Sequence, residues 1–229
     1  MRIWDINAGY LNRQSLLGEH RELHAIVSII SHGKKGYSKH PETLRWIGHG
    51  WALRIRHKQL IFEMALRGFT DKSSVLTRSN PNAWPKTYID PPDIQFELLK
   101  KKYTNKEQGR IPLPCSVQEL WSQHKYSILA RDPKKYSELG NLVSRSKIDF
   151  ATLANILSEE LRSAPSHGGI RNSIQHMWGH VSQSDLTGNY RINSWSLRRL
   201  LAEIQRRAMA IQEPYLTKST SLSELMVWL

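Results

Sequence analysis

The chain has 229 residues, of which 39% are hydrophobic and 23% charged, and it holds eight Trp and eight Tyr. This composition excludes a disordered chain, which would contain few aromatic residues. The formal net charge of +13 indicates a polyanionic partner, most often nucleic acid, although a ribosome-associated or membrane-surface protein would show the same balance.

The predicted elements of the first part are helices joined by glycine- and proline-containing loops. Asn12 is placed as the N-cap of the first helix and Gly33 ends it. The third helix is expected to carry Arg54, Arg56, His57 and Lys58 on or near its outer faces. Asp90 is expected to cap the fourth, with Pro91 in the first helical position. The predicted helices span about residues 12–30, 41–46, 51–67 and 91–103.

The segment 104–114, TNKEQGRIPLP, is polar and carries two prolines, which predicts a linker. We therefore predict one domain over residues 1–110 and a second over 115–229. Ser116 with Glu119 and Ser221 with Glu224 have the spacing of capping boxes. DLTGNYRIN, 185–193, is predicted to be a loop. Helices are expected at about 117–131, 133–145, 149–162, 169–183, from 194 onward and from 221 onward. The predicted fold class is all-α.

The single cysteine, Cys115, excludes an intramolecular disulfide and fits a reducing compartment. No apolar run approaches the roughly 20 residues that span a bilayer. Charged residues, Asp5, Arg13 and Glu19 among them, interrupt any signal-peptide core. We therefore expect a cytoplasmic protein without a membrane partner, either associated with the nucleoid or encoded by a phage and active in the host cytosol.

Basic residues are concentrated in the first half of the chain. The stretch HGKKGY, 32–37, places Lys34 and Lys35 in a short turn that suits phosphate. A solvated surface turn is the alternative interpretation.

The chain terminus is the first candidate for chemistry. An α-amine has an ordinary pKa of about 7.7–8, so a useful fraction is a free nucleophile at neutral pH. Such an amine can attack an aldehydic sugar carbon and form a Schiff base. Met is normally retained before a bulky residue such as Arg2, which makes Met1 the candidate nucleophile.

Glu22 is the second candidate. A carboxylate beside a sugar carbon can stabilise an oxocarbenium-like state and move protons. A solvated charge on the surface of the helix is the alternative.

Two histidine pairs raise the question of a metal. His20 and His24, like His176 and His180, stand four residues apart, which is ligand spacing on a helix. Arg21 follows His20 where the zinc-protease motif requires Glu, and no third ligand is evident. We therefore predict neither a metal nor another cofactor.

Residues 1–110 resemble the pyrimidine-dimer DNA glycosylase/AP lyase family of the phage endonuclease V type. The match lies in Met1-Arg2, Tyr10-Leu11-Asn12, Arg21-Glu22-Leu23, the segment RHKQLIFEMALRGF at 56–69, and Tyr88-Ile89-Asp90-Pro91. In that family an Arg follows the nucleophilic first residue and the catalytic Glu lies 21 residues after it, as Glu22 does here.

The resemblance implies a compact helical fold without metal. The Met1 amine would attack C1′ of a damaged nucleotide, and Glu22 would assist strand cleavage by β-elimination. Arg2 and Arg21 would contact phosphates around a kinked lesion. Ala25 stands where the phage family has another Arg, and GRIPLP replaces its aromatic tail. These two differences concern the choice of damaged base more than the lyase chemistry.

Residues 115–225 resemble a domain of unknown function that is elsewhere fused to thiouracil-desulfidase-type domains. WSQHKYSILARDPKKYSELGNLV and RNSIQHMWGH carry this match. The fusion partners suggest RNA binding, and helix packing is the alternative role for the motif positions, which are His124, Lys125, Tyr126, Asn172 and His176.

These patterns lead to one hypothesis and two alternatives. We expect a monomeric repair glycosylase/AP lyase that acts on double-stranded DNA carrying ultraviolet damage of the pyrimidine-dimer type. Its expected nucleic-acid contacts are Arg2, Arg21, Lys34, Lys35, Arg54 and Arg56. One alternative is a non-catalytic module that binds structured RNA. The other is an RNA-directed enzyme that removes a base.

Overall fold

The computed structural model describes residues 1–182 and 194–229, and the predicted loop DLTGNYRIN lies outside these ranges. The described residues form helices and no strand, so the all-α prediction is confirmed. The chain divides into two compact units, residues 1–109 and 110–229. Among the residues described, none of the helices has the length and apolarity needed to cross a bilayer.

The first unit contains a short 3-10 helix and four α-helices. Their bounds are Ala8–Tyr10 for the 3-10 helix, and Arg13–His32 (α1), Pro41–Trp46 (α2), Gly50–Leu66 (α3) and Pro92–Lys102 (α4). Residues 67–91 connect α3 to α4 without a helix.

The ends of α1 are the ones that its sequence predicts. The Asn12 Oδ1 accepts a hydrogen bond from the Ser15 N–H at 2.9 Å, which satisfies one of the free amides of the first turn. Gly33 ends the helix in the left-handed region, with φ at 60°. Leu16, Leu23, Ile26 and Ile29 are buried along one side of the helix.

The predicted outer placement of Arg56 and His57 on α3 is wrong. Arg56 is only 3% exposed and His57 only 4%. The reason is Glu19 on α1, which is buried against α3. Arg56 donates to it through Nε at 2.7 Å and through Nη2 at 2.9 Å. A buried carboxylate requires such a partner, and Arg56 supplies it in the bidentate geometry that arginine favours.

Helix α4 begins one residue later than predicted. Pro91 takes the N-cap position and Pro92 is the first helical residue. Asp90 therefore does not cap the helix, and its carboxylate instead pairs with Arg2 at 2.7 Å.

The second unit packs helices around an aliphatic core. The bounds are Val117–Leu129 (α5), Pro133–Ser144 (α6), Phe150–Glu160 (α7), His167–Gly179 (α8), Leu197–Ile211 (α9), Pro214–Thr217 (α10) and Ser221–Glu224 (α11), followed by a 3-10 helix Leu225–Trp228. Helix α5 contacts α6, α7, α8 and α11. It is the central element of this unit.

One of the two predicted capping boxes forms in part and the other does not form. The Ser116 Oγ accepts from the Glu119 N–H at 3.1 Å, whereas the Glu119 carboxylate accepts from the N–H of Cys115 rather than of Ser116. Before α11, Thr220 is the N-cap and makes no side-chain cap. Glu224 is buried and accepts from Arg131 and from the Trp228 Nε1 at 2.8 Å. Tertiary pairing thus replaces the local motif.

His124 lies in the interior of the second unit on α5. Its Nδ1–H donates to the Leu120 carbonyl at 2.9 Å. Burial lowers the pKa of His124 from 6.5 to about 4. The imidazole is therefore neutral in the folded protein well below the pH at which an exposed histidine is protonated.

We expect the second unit to lose stability as the pH falls from about 6.5 to about 4. In that window the unfolded chain binds a proton at position 124 that the folded chain does not, so protonation favours unfolding. The loss reaches about 3 kcal/mol and levels off below pH 4. Urea unfolding of the full chain at several pH values, followed by hydrogen exchange in α5, measures it.

The matched comparison is His124→Gln against His176→Gln, because His176 is exposed on α8. The first variant should flatten the pH dependence of α5 and the second should keep it. Equal pH dependence in both variants would contradict this account.

Candidate active site

Residues 1–7, which precede the 3-10 helix, form an extended segment that packs into the first unit. Ile3, Trp4 and Ile6 are buried, whereas Met1 and Arg2 at the chain terminus are half-buried. Apolar contact therefore holds the segment while the terminal amine stays near solvent.

Two buried arginines hold the backbone of this segment. The Arg45 Nη2 donates to the Ile3 carbonyl at 3.2 Å, and the Arg56 Nη1 donates to the Ile6 carbonyl at 3.0 Å. Arg45 also pairs with Asp5 of the same segment at 2.8 Å. These carbonyls have no strand partner, so the guanidinium groups satisfy them.

Gln95 on α4 fixes the segment from another side. Its Oε1 accepts from the Asp5 N–H at 2.8 Å. Its Nε2 donates to the Asp5 carboxylate at 3.0 Å and to the Asp90 carbonyl at 2.8 Å. One buried amide therefore connects the segment to the start of α4.

Glu22 lies beside the chain terminus. Its Oε2 accepts a hydrogen bond from the Arg2 N–H at 2.6 Å. Glu22 stands three residues after Glu19 on α1, so both face the extended segment. Glu19 is fully buried, and burial raises its pKa although Arg56 opposes the shift. Glu22 is half-buried. The structure thus brings a solvent-accessible carboxylate within one residue of the terminal amine.

The Arg2 side chain has internal partners. Its guanidinium pairs with Asp90 at 2.7 Å and lies over the Trp4 ring at 4.3 Å. A phosphate at this position would compete with the Asp90 carboxylate.

Arg21 is exposed and lines an open cavity of about 840 Å³ beside the N-terminus of α1. The cavity wall carries three cationic side chains, those of Arg13, Arg21 and Lys106, and one carboxylate, that of Glu107. The free amides of a helix N-terminus add positive potential there.

The other predicted nucleic-acid contacts fall into different environments. Lys34 and Lys35 are exposed in the turn after α1, where they line a groove of about 290 Å³ with Ile47. Arg54 is half-buried on α3. Arg56 is enclosed and paired with Glu19, so it is not available to a phosphate.

In the second unit the structure groups only part of the predicted motif. The Tyr126 hydroxyl bonds the His180 Nε2 at 2.7 Å. The Lys125 Nζ lies 4.9 Å from the Tyr126 ring and 5.3 Å from that of Tyr215. Burial lowers the pKa of Lys125. His180 and Tyr215 were not predicted as members of this group.

The remaining motif positions are separately placed. His124 is buried in the core, Asn172 is half-buried, and His176 is exposed one turn before His180 on α8. No sequence spacing connects α8 with Tyr215, which explains why the group was missed.

The structure also supplies companions for the pair His20 and His24. His57 and Asp71 join them in the first unit. His57 and Asp71 do not stand at a known motif spacing from His20 and His24, so the sequence alone did not identify a third ligand.

In comparisons with known proteins, the first and second parts of the chain match different families. Residues 1–77 match the family model described as pyrimidine dimer DNA glycosylase. Residues 125–224 match a family described as protein of unknown function (DUF1722). The predicted fusion of these two families is thereby confirmed. No curated protein and no solved structure matches the chain significantly.

Replacing Gln95 with Leu should loosen the terminal segment. The change removes the acceptor for the Asp5 N–H and the donor to the Asp90 carbonyl. We expect the free energy of unfolding to fall by about 1–3 kcal/mol and the Asp5 amide to exchange faster. Urea unfolding and hydrogen exchange measure the two effects.

Glu97→Gln is the matched control, because Glu97 is exposed on the same helix and pairs only with Lys100 among its described contacts. Equal behaviour of the two variants would show that Gln95 does not hold the segment.

Proposed function

We propose that the first unit is a DNA N-glycosylase/AP lyase, because residues 1–77 match the pyrimidine dimer DNA glycosylase family. The Met1 amine is the nucleophile and Glu22 is the general acid and base. The supporting observation is the 2.6 Å hydrogen bond from the Arg2 N–H to the Glu22 carboxylate, which keeps these two groups together.

In the first step the Met1 nitrogen forms a bond to C1′ of the damaged nucleotide. The N-glycosidic bond breaks, and the base leaves with its electron pair and takes up a proton. The C1′–O4′ bond then opens and O4′ gains a proton. The nitrogen loses two protons in all to give the imine, and these balance the protons gained by the base and by O4′. Glu22 is the group positioned to carry these protons.

In the second step the imine makes the C2′ hydrogen acidic. The Glu22 carboxylate accepts that proton, and the C3′–O3′ bond breaks to release the phosphate. Water then hydrolyses the imine and restores the amine. This series of steps needs no oxidant, because every electron pair moves between bonds of the substrate, the protein and water.

Nucleic acid must bring C1′ to a half-buried amine, so the target nucleotide has to leave the base stack. Exposed cations of the first unit supply the phosphate contacts in this proposal. They are Arg13, Arg21 and Lys106 around the cavity and Lys34 and Lys35 in the turn. The net charge of +13 supports double-stranded DNA or structured RNA as the ligand.

The second unit has an accessory binding role in this proposal. Lys125 and the exposed Tyr215 combine a cation with an aromatic ring, a pair that suits a phosphate beside a stacked base.

Borohydride trapping on abasic DNA, ultraviolet-irradiated DNA and tRNA is the decisive experiment. Wild-type protein should form a covalent adduct with damaged DNA, and peptide mass analysis should locate it at Met1. Acetylation of the terminal amine should abolish the adduct. Glu22→Gln keeps an oxygen for the Arg2 N–H but cannot move protons, so strand cleavage should fall by about 10²–10⁴-fold.

Glu97→Gln should cleave like wild type. If no substrate is trapped although binding remains tight and weakens with salt, the chain is a non-catalytic binding protein. Trapping on tRNA alone would instead identify an RNA-directed enzyme.

A further inference from the structure

Four side chains of the first unit bring their possible metal-binding atoms close together. His20 and His24 lie one turn apart on α1, His57 lies on α3, and Asp71 comes from the segment after α3. His20, His57 and Asp71 have side chains at most 13% exposed. The group is therefore an enclosed cluster rather than a set of surface histidines.

The rings pack directly against one another. The His20 and His24 centroids are 4.7 Å apart, those of His24 and His57 4.9 Å, and those of His20 and His57 5.3 Å. Three imidazoles at this spacing repel strongly when protonated. Burial, followed by the charge of His24, lowers the pKa of His57 to about 4. A neutral imidazole offers a nitrogen lone pair to a metal ion.

The donor atoms approach one another without forming the expected hydrogen bonds. The His20 Nε2 lies 3.2 Å from one Asp71 oxygen, and the His57 Nε2 lies 3.6 Å from the other. Both nitrogens are buried, and neither has a hydrogen-bond partner among the described residues. Buried polar atoms without partners are rare, because each costs free energy. Buried donor atoms that lie close together without hydrogen bonds between them are the arrangement expected around a cation.

Asp71 supplies the negative charge. Burial alone would raise its pKa, but hydrogen bonds from Ser73 outweigh that effect and lower it. The Ser73 hydroxyl lies 2.7 Å from the Asp71 Oδ1 and 2.9 Å from the His24 Nε2. Ser73 thus orients two members of the cluster, as residues behind metal ligands commonly do.

We propose that His20, His24, His57 and Asp71 form a binding site for one divalent transition-metal ion of the zinc type. Three imidazoles and one carboxylate match the ligand set and number of a four-coordinate zinc site. The donor atoms all lie within 4.8 Å of one another, and a tetrahedral zinc site needs a spacing of about 3.3 Å. Small side-chain rotations close that difference.

The site has a structural role in this proposal and stands apart from the lyase chemistry. Four protein ligands leave no open position for a substrate or water. The ion joins α1 and α3 to the start of the long connection 67–91, which has no helix of its own. Metal binding then stabilises the folded unit and orders this connection.

The test is zinc binding by the full chain after treatment with a chelator. Titration with zinc chloride against a chromophoric chelator should give one tight site per chain. His57→Gln and Asp71→Asn should each weaken binding by at least about 100-fold, since even loss of a supporting residue costs 10–100-fold. Co²⁺ in the same site should give the intense visible bands of tetrahedral coordination.

His32→Gln is the matched control, because His32 is an exposed histidine on α1 outside the cluster. It should bind zinc like wild type. Far-ultraviolet circular dichroism verifies that each variant folds. If His57→Gln does not fold, Asp71→Asn still tests the site, because Asp71 lies in the connecting segment and not in a helix.

Zinc should also raise the Tm of wild type by several degrees and slow hydrogen exchange in residues 67–77, with neither effect in Asp71→Asn. The proposal is overturned if wild type binds no more zinc than Asp71→Asn, or if zinc leaves exchange in that segment unchanged. Borohydride trapping is a separate measurement, so failure of one proposal leaves the other standing.

Discussion

The carboxylate of Glu19 is buried between α1 and α3, and Arg56 is its charge partner. Removing one member of such a pair leaves an uncompensated charge in the interior and costs about 3–5 kcal/mol. The same guanidinium also donates a hydrogen bond to the Ile6 carbonyl. A single arginine therefore connects two helices and the extended terminal segment, and the position of the chain end depends on it.

Arg45 on α2 plays the same role for the part of the segment around Ile3. It is neutralised by Asp5 and Glu42 and binds the Ile3 carbonyl. Extended backbone without a neighbouring strand needs donors from side chains, and arginine provides several from one rigid group. The result is a terminus held by polar contacts in an apolar setting, with Glu22 beside it.

Local signals predicted the fold well where local physics decides it. The Asn12 cap and the Gly33 stop can be read from neighbouring residues, and the structure contains both. The pairing of Met1 with Glu22 came instead from the resemblance to the glycosylase family, and it stays a prediction. Arg56 could not be placed correctly, because its partner lies 37 residues away and α3 is buried on several sides. A charge in a helix looks solvated until the carboxylate opposite it is known.

The cluster containing His57 and Asp71 escaped prediction for the same reason. Two of its members are one turn apart, but the others come from different elements and follow no fixed spacing. The second unit shows the converse case: Ser221 and Glu224 have the spacing of a cap, yet Glu224 is drawn inward by Arg131. Sequence spacing identifies a motif only when no stronger partner competes for its side chains.

Neighbouring residues of helix α1 face different surroundings. Glu19 and Glu22 face the terminal segment, His20 and His24 face α3 and Asp71, and Arg21 faces solvent. Each residue turns the helix by about 100°. A single-residue insertion or deletion between Asn12 and Glu19 would rotate all three sets out of place at once, whereas a substitution at Arg21 alters only one. The number of residues in the first two turns of α1 is therefore more tightly constrained than the side chain at any single exposed position.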